Sequence, residues 1–226
     1  MKNRKIQEGF ETEEDLVKVI LSSIRTLKTR SFKIELELDA GVGFADIILY
    51  KRNPRTTQQL NILAKIPPRL ASLLHPSNSE NIFNINDFAN FLGLSTSSAQ
   101  RISRQFQQLG LWNSNPKNTL LPVIKTQPFH QIISIEAKLS DWSRALVQAY
   151  RNLQFADESW VVLDHRFYKP ALTQLERFRR SGVGLASVDI EGRLFIHYEA
   201  PTSSPISITK RWHAQAALAR RALRYQ

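Results

Sequence analysis

Cysteine is absent from the 226 residues of this chain. Disulfides and cysteine-ligated zinc are thereby excluded, and a reducing compartment is the natural setting. No apolar run approaches the roughly 20 residues a membrane span needs, and the polar start MKNRKIQEGF does not resemble a signal peptide. A soluble, cytoplasmic protein with no membrane partner is expected. The five histidines stand singly at 75, 130, 165, 197 and 213, without the i, i+4 spacing of a helical zinc site. Also missing are a Gly-x-Ser-x-Gly elbow and a phosphate-binding Gly-Lys-Ser loop. Gly182-x-Gly184 lacks the third glycine of a dinucleotide fingerprint and precedes a strand pattern rather than a helix. Negative charge is scarce as well: 31 Lys and Arg against 20 Asp and Glu leave a formal +11. The cations are spread along the chain, so the basic surface belongs to folded elements. Nucleic acid is the first candidate partner for it; anionic membrane is second, with no lipid-type amphipathic helix to support it.

What is present is ordinary globular material, 42% apolar and 23% charged, enough for one sizeable domain or two small ones. Its most informative stretch is Ile132–Asn152, IISIEAKLSDWSRALVQAYRN. The alternation predicts a strand with Ile133, Ile135, Ala137 and Leu139 on one face and Ile132, Ser134, Glu136 and Lys138 on the other. A helix follows, capped by Ser140 or Asp141, with Trp142, Ala145, Leu146, Ala149 and Leu153 as its apolar stripe and Gln148 and Tyr150 near it. Taken alone, Glu136-x-Lys138 also fits a solvated ion pair on a strand.

Upstream, Thr12 caps a predicted helix whose first turn holds Glu13, Glu14 and Asp15 and whose apolar face is Leu16, Val17, Ile20, Ile24 and Leu27. Glu13 falls on the side expected to be buried; capping is the plainer role for these acids. FKIELELD, the turn AGVG and FADIILYKR read as a hairpin. Asp46 interrupts the second strand, where a partly buried carboxylate calls for a metal, a cation or hydrogen bonds; an exposed place at the strand's start is the plain alternative. Glu35 and Glu37 lie on the neighbouring strand and supply further acidic candidates.

Glu136-x-Lys138 ending an apolar strand, followed by a helix carrying Gln148 to Arg151, resembles the PD-(D/E)XK nuclease superfamily, with Asp46 matching its acidic residue after a glycine-containing turn. The resemblance covers about 10–52 and 131–200. It implies an α/β fold: a restriction-endonuclease-like mixed central sheet flanked by helices. It also implies a Mg²⁺-dependent (or Mn²⁺-dependent) deoxyribonuclease. In that reading Asp46, Glu136 and the Ala137 carbonyl hold the metal. Lys138 orients water or neutralises phosphate, Glu13 or Glu14 accepts a proton or binds a second metal, and Gln148 positions water or phosphate. Double-stranded DNA is the implied substrate, and cutting both strands would call for a homodimer.

Between the two halves, Arg55–Gln59 reads as a linker and Pro67–Leu74 as a short helix. NINDFANFLGLS and a helix capped by Ser95, with Ala99, Ile102, Phe106 and Leu109 buried, give a helix-turn-helix pattern. Leu111-Trp112, the NSNPKN turn and TLLPVIK extend it to a likeness of winged helices over about 60–125. The opposite face of the second helix shows Ser97, Gln100, Arg101, Arg104 and Gln108, side chains suited to phosphates and base edges; a small packing domain or protein-binding module is the plain alternative. The expected division is a nuclease-like core at 1–52 and 131–226, with a DNA-binding winged helix-turn-helix inserted at 53–130. Downstream, a strand is expected at Ser159–Leu163, a helix at Pro170–Arg180, two strands around Glu191-Gly192, and a last helix at Ile206–Gln226. In that last helix Arg211, Arg220, Arg221 and Arg224 are expected to form a solvated basic face, with phosphate contact as the sharper alternative. A DNA-binding regulator without catalysis is the competing function; an RNA-processing enzyme ranks last for want of an aromatic platform.

Overall fold

The computed structural model describes residues 9–26, 32–79, 84–111, 113–115, 118–120 and 124–224. The basic start of the chain, Leu27 and Trp112 lie outside these residues. The chain divides into two compact units, Met1–Arg52 with Phe129–Arg211, and Asn53–Pro128 with Trp212–Gln226. The residues after Arg211 therefore group with the second unit.

The first unit is α/β. It contains α1 (Glu13–Thr26), β1 (Lys33–Asp39) and β2 (Phe44–Arg52) before the second unit's main segment. The second unit's elements are α2 (Thr57–Lys65), α3 (Pro76–Ser79), α4 (Ile85–Leu92), α5 (Thr96–Gln108), β3 (Asn113–Asn115) and β4 (Asn118–Leu120). The chain returns with β5 (Phe129–Lys138), α6 (Trp142–Asn152), β6 (Glu158–Asp164), α7 (Tyr168–Leu172), α8 (Leu175–Ser181), β7 (Gly184–Val188) and β8 (Leu194–Tyr198). Helix α9 (Ile208–Arg224) closes it, contributing to the second unit from Trp212 onward.

Six strands form one mixed sheet in the order β1-β2-β5-β6-β7-β8. β5, β6 and β7 are parallel; β1 to β2, β2 to β5 and β7 to β8 are antiparallel. Alternation then sends successive side chains to opposite faces. On one face Leu16, Ile20 and Ile24 of α1 pack on Ile47, Leu49, Ile135, Ala137, Val162 and Ala186. On the other, Ala145, Leu146 and Ala149 of α6 and Phe178 of α8 pack on Val161, Leu163 and Leu185. Because both faces are covered, the row that carries Glu136 is interior, with Ile132, Ser134 and Glu136 all buried.

The local signals behaved unevenly. Thr12 accepts the Asp15 N–H at 3.1 Å and Asp141 accepts that of Arg144 at 3.0 Å, so the predicted caps of α1 and α6 are present. The helix expected at 170–180 is broken into α7 and α8. Thr173 Oγ1 donates to the Pro170 carbonyl (2.7 Å), and the Gln174 N–H bonds three residues back to Ala171, tightening the chain into a turn. Arg211 corrects the expectation of a solvated C-terminal face. It is buried, donating to the Phe155 and Phe129 carbonyls and to Asp157 Oδ2 at 2.9 Å.

In the second unit, the supposed linker is a 3-10 turn at Pro54–Thr56 leading into α2, whose Leu60 and Leu63 are buried. Pro68–Leu74 is a 3-10 helix. Asn84 caps α4, Gly93 ends it in the left-handed region (φ 61°), and Ser95 caps α5 by accepting the Ser98 N–H. Ala99, Ser103 and Phe106 of α5 are buried, and β3 pairs with β4 antiparallel. Trp212, Ala216, Leu218 and Ala219 of α9 are buried, and the Trp212 ring meets His75 edge-on.

Candidate active site

β5 lies where the sheet changes from antiparallel to parallel pairing, and at its C-terminal end two ladders part. The β2–β5 register stops at Ile47↔Ile135. One step further, the Ala137 N–H donates not to backbone but to Asp46 Oδ2, at 2.8 Å. Asp46 is half-buried at 29% side-chain exposure. Burial raises its pKa first, opposed by the Ala137 bond and by Lys138, with Glu13 and Glu37 adding to the rise.

Glu136 is wholly buried. Its Oε1 accepts from Asn152 Nδ2 at 2.7 Å, while its Oε2 has no hydrogen-bond partner. Burial pushes its pKa up to about 8; Asp46 contributes, and the Asn152 bond and Lys138 pull the other way. Such a carboxyl is stable there only as the neutral acid or beside a cation. Lys138 does not neutralise it directly. Its Nζ donates to Glu13 Oε2 at 2.7 Å and lies 3.8 Å from Asp46 Oδ2. Burial works against the Lys138 ammonium, but the Glu13 bond and the charges of Asp46, Glu13 and Glu136 outweigh it and its pKa is raised. The plain alternative of a solvated Glu136–Lys138 pair does not describe these residues: one is a buried acid, the other a lysine held by two other carboxylates. Glu13 itself is about half exposed rather than buried, because α1 sets its first turn at the rim of the sheet. Glu14 pairs with Lys18 instead.

Of these groups Glu13, Glu14 and Asp46 border a cleft of about 520 Å³, lined also by Val17, Leu36, Glu37 and Ala137. Glu37 holds a left-handed φ of 50° between the Leu36↔Ile47 and Leu38↔Ala45 rungs, strain that a glutamate bears only when its surroundings impose it. Glu35 lies elsewhere, beside Tyr50, whose pKa burial and that carboxylate push to about 12. Gln148, one turn before Asn152 on α6, has a buried Oε1 with no partner. Tyr150 points to solvent. One site residue escaped the sequence reading: Asn152 stands four residues after Gln148, a helical spacing that marks a shared face. Of the two acidic candidates on the neighbouring strand, Glu37 lines this cleft and Glu35 does not. Among the described residues no three His, Cys, Asp or Glu side chains form a group that could hold a metal.

In the second unit, Ser97, Gln100, Arg101, Arg104 and Gln108 are all exposed along α5. No helix among the described residues is long and apolar enough to cross a membrane. Comparison of the chain with protein-family models, with curated proteins and with solved structures finds no match.

Proposed function

We propose that the first unit is a metal-dependent DNA endonuclease and that the second, read as a winged helix-turn-helix, guides it to DNA. The observation that carries this reading is Glu136 Oε2, a buried carboxylate oxygen without a partner, on the strand that also presents Lys138 and beside the strand of Asp46. Two carboxylates and the Ala137 carbonyl make an all-oxygen donor set suited to Mg²⁺ or Mn²⁺. A bound ion of this kind supplies charge neutralisation at the phosphate and a more acidic water. Lys138, oriented by Glu13, holds an ammonium beside Asp46; Glu13 accepts a proton there, and Gln148 offers an unused amide oxygen to a water or a phosphate partner. Arg101 and Arg104 contact phosphates, with Ser97 and Gln100 beside them for base edges.

A second reading, a DNA-binding regulator without catalysis, is favoured by one observation: no three metal-ligating side chains are grouped among the described residues. Incubation of supercoiled and linear duplex DNA with Mg²⁺ or Mn²⁺ separates the two. Cleavage that Asp46→Asn and Lys138→Ala both abolish, with DNA binding retained, supports the nuclease. Salt-sensitive binding with no cleavage by the parent protein sinks it in favour of the regulator.

A further inference from the structure

The basic character of the second unit is not confined to α5. A cleft of about 520 Å³ between α2 and α9 is lined by Asn61, Ala64, Lys65, Arg220, Leu223 and Arg224. Three cations and a carboxamide converge on it, with no acid among the described residues that line it. Arg220 is fixed in place, its Nε donating to the Ala64 carbonyl at 3.2 Å. None of Lys65, Arg220 and Arg224 forms an ion pair with a described residue, whereas Lys138, Arg166, Arg193 and Arg211 of the first unit all do. Lys65 and Arg224 each occupy the last turn of a helix, where the dipole favours a cation. That accounts for either residue singly. It does not account for two helix ends and a tethered guanidinium facing one hollow, an arrangement of like charges that an anion relieves.

From this convergence we infer that the α2–α9 cleft is a second nucleic-acid contact, taking backbone phosphates independently of α5. The ligand is a polyanion read by charge alone: Lys and Arg without an aromatic platform or paired acceptors bind phosphate and carry no base information. The inference rests on the proposal that the second unit binds DNA and adds to it a site that anchors without selecting sequence. An anionic membrane offers the same phosphate chemistry, but the cleft is concave and its apolar lining is limited to Ala64 and Leu223, which gives a bilayer little to hold.

The test uses the full chain and fluorescence anisotropy with two labelled duplexes of unrelated sequence across a salt series. Vesicles containing phosphatidylserine serve as a separate probe. The variant is Lys65→Gln with Arg224→Gln, both exposed positions, and its thermal melt is compared with the parent's. The expected result is weaker binding to both duplexes by the same factor. The slope of log affinity against log salt should also become shallower by about 0.9 for each phosphate contact removed. Unchanged affinity and slope in a normally folded variant overturn the inference while leaving the proposed function standing. A loss confined to vesicle binding overturns it in favour of a membrane. A parent protein that binds neither duplex at low salt overturns the DNA reading and this inference together.

Discussion

The two units spend their charge in opposite ways. The first holds 21 Lys and Arg against 18 Asp and Glu, and its ion pairs are internal: Lys138 with Glu13 and Asp46, Arg166 with Asp164, Arg211 with Asp157. The second holds ten against two, so a formal +8 of the chain's +11 sits in the smaller unit. Where charge is balanced locally it can be carried into the interior, as in the Arg211–Asp157 pair; where a carboxylate is carried in with an unpartnered oxygen, as at Glu136, proton affinity rises. Where it is unbalanced it stays at the surface and acts at a distance on other charged molecules. The proposed function accordingly gives the chemistry to the first unit and the capture of DNA to the second.

The sharpest way to break that assignment is through the buried site. Lys138→Ala or Asp46→Asn is expected to lower Mg²⁺-dependent cleavage by about a thousandfold or more, roughly 4 kcal/mol of barrier, without weakening duplex binding. If cleavage survives both, the first unit is not the seat of reaction.

Glu136 gives the next largest effect, in stability. Its folded pKa of about 8 lies above the ordinary glutamate value of 4.5. Between these values the folded state keeps a proton that the unfolded chain has released, so stability is full at low pH, falls as pH rises from about 4.5 to about 8, and levels off beyond. Urea denaturation in the presence of a chelator should show this decline in the parent. It should be absent in Glu136→Gln, which becomes the more stable protein at alkaline pH by an amount on the order of a few kcal/mol. Parallel pH profiles for the two proteins would remove Glu136 as the buried titrating group. A smaller loss, about 1–3 kcal/mol by the same method, is expected for Asn152→Ala, which strips Glu136 of its one hydrogen bond. The mildest change is expected from Arg101→Gln with Arg104→Gln. Affinity for duplex DNA should fall and the salt slope shrink by about 0.9 per contact, while the stability profile stays that of the parent. A stability change there would mean that α5 is a packing helix and not a free face.

Much of the first unit was legible because its signals are local. The hairpin at 33–52, the strand of Glu136 and Lys138, and the caps at Thr12 and Asp141 follow from periodicity and capping chemistry within a few residues. What escaped depends on which elements come to rest on one another. Strict alternation assigned Glu136 to a polar face; only the seating of α6 on that face makes it interior. The salt bridge of Lys138 to Glu13 joins residues 125 apart in sequence, and no spacing rule links them. Arg211 read as one more surface cation because its partners, Phe129, Phe155 and Asp157, are distant in the chain. In the second unit α2 was hidden by Pro54, which marks the start of the helical segment rather than a linker.

The parting of β2 and β5 carries a mechanical consequence. The Asp46 carboxylate occupies the rung where the next backbone carbonyl would sit, so it works as a wedge that keeps two neighbouring strands from zipping shut. Asparagine can fill the same rung through its carbonyl oxygen and leave the gap open while discarding the charge. Alanine cannot, and would leave the Ala137 N–H to seek the facing strand. Asp46→Asn and Asp46→Ala are therefore different experiments: the first removes the charge and keeps an acceptor for the Ala137 N–H, the second removes both.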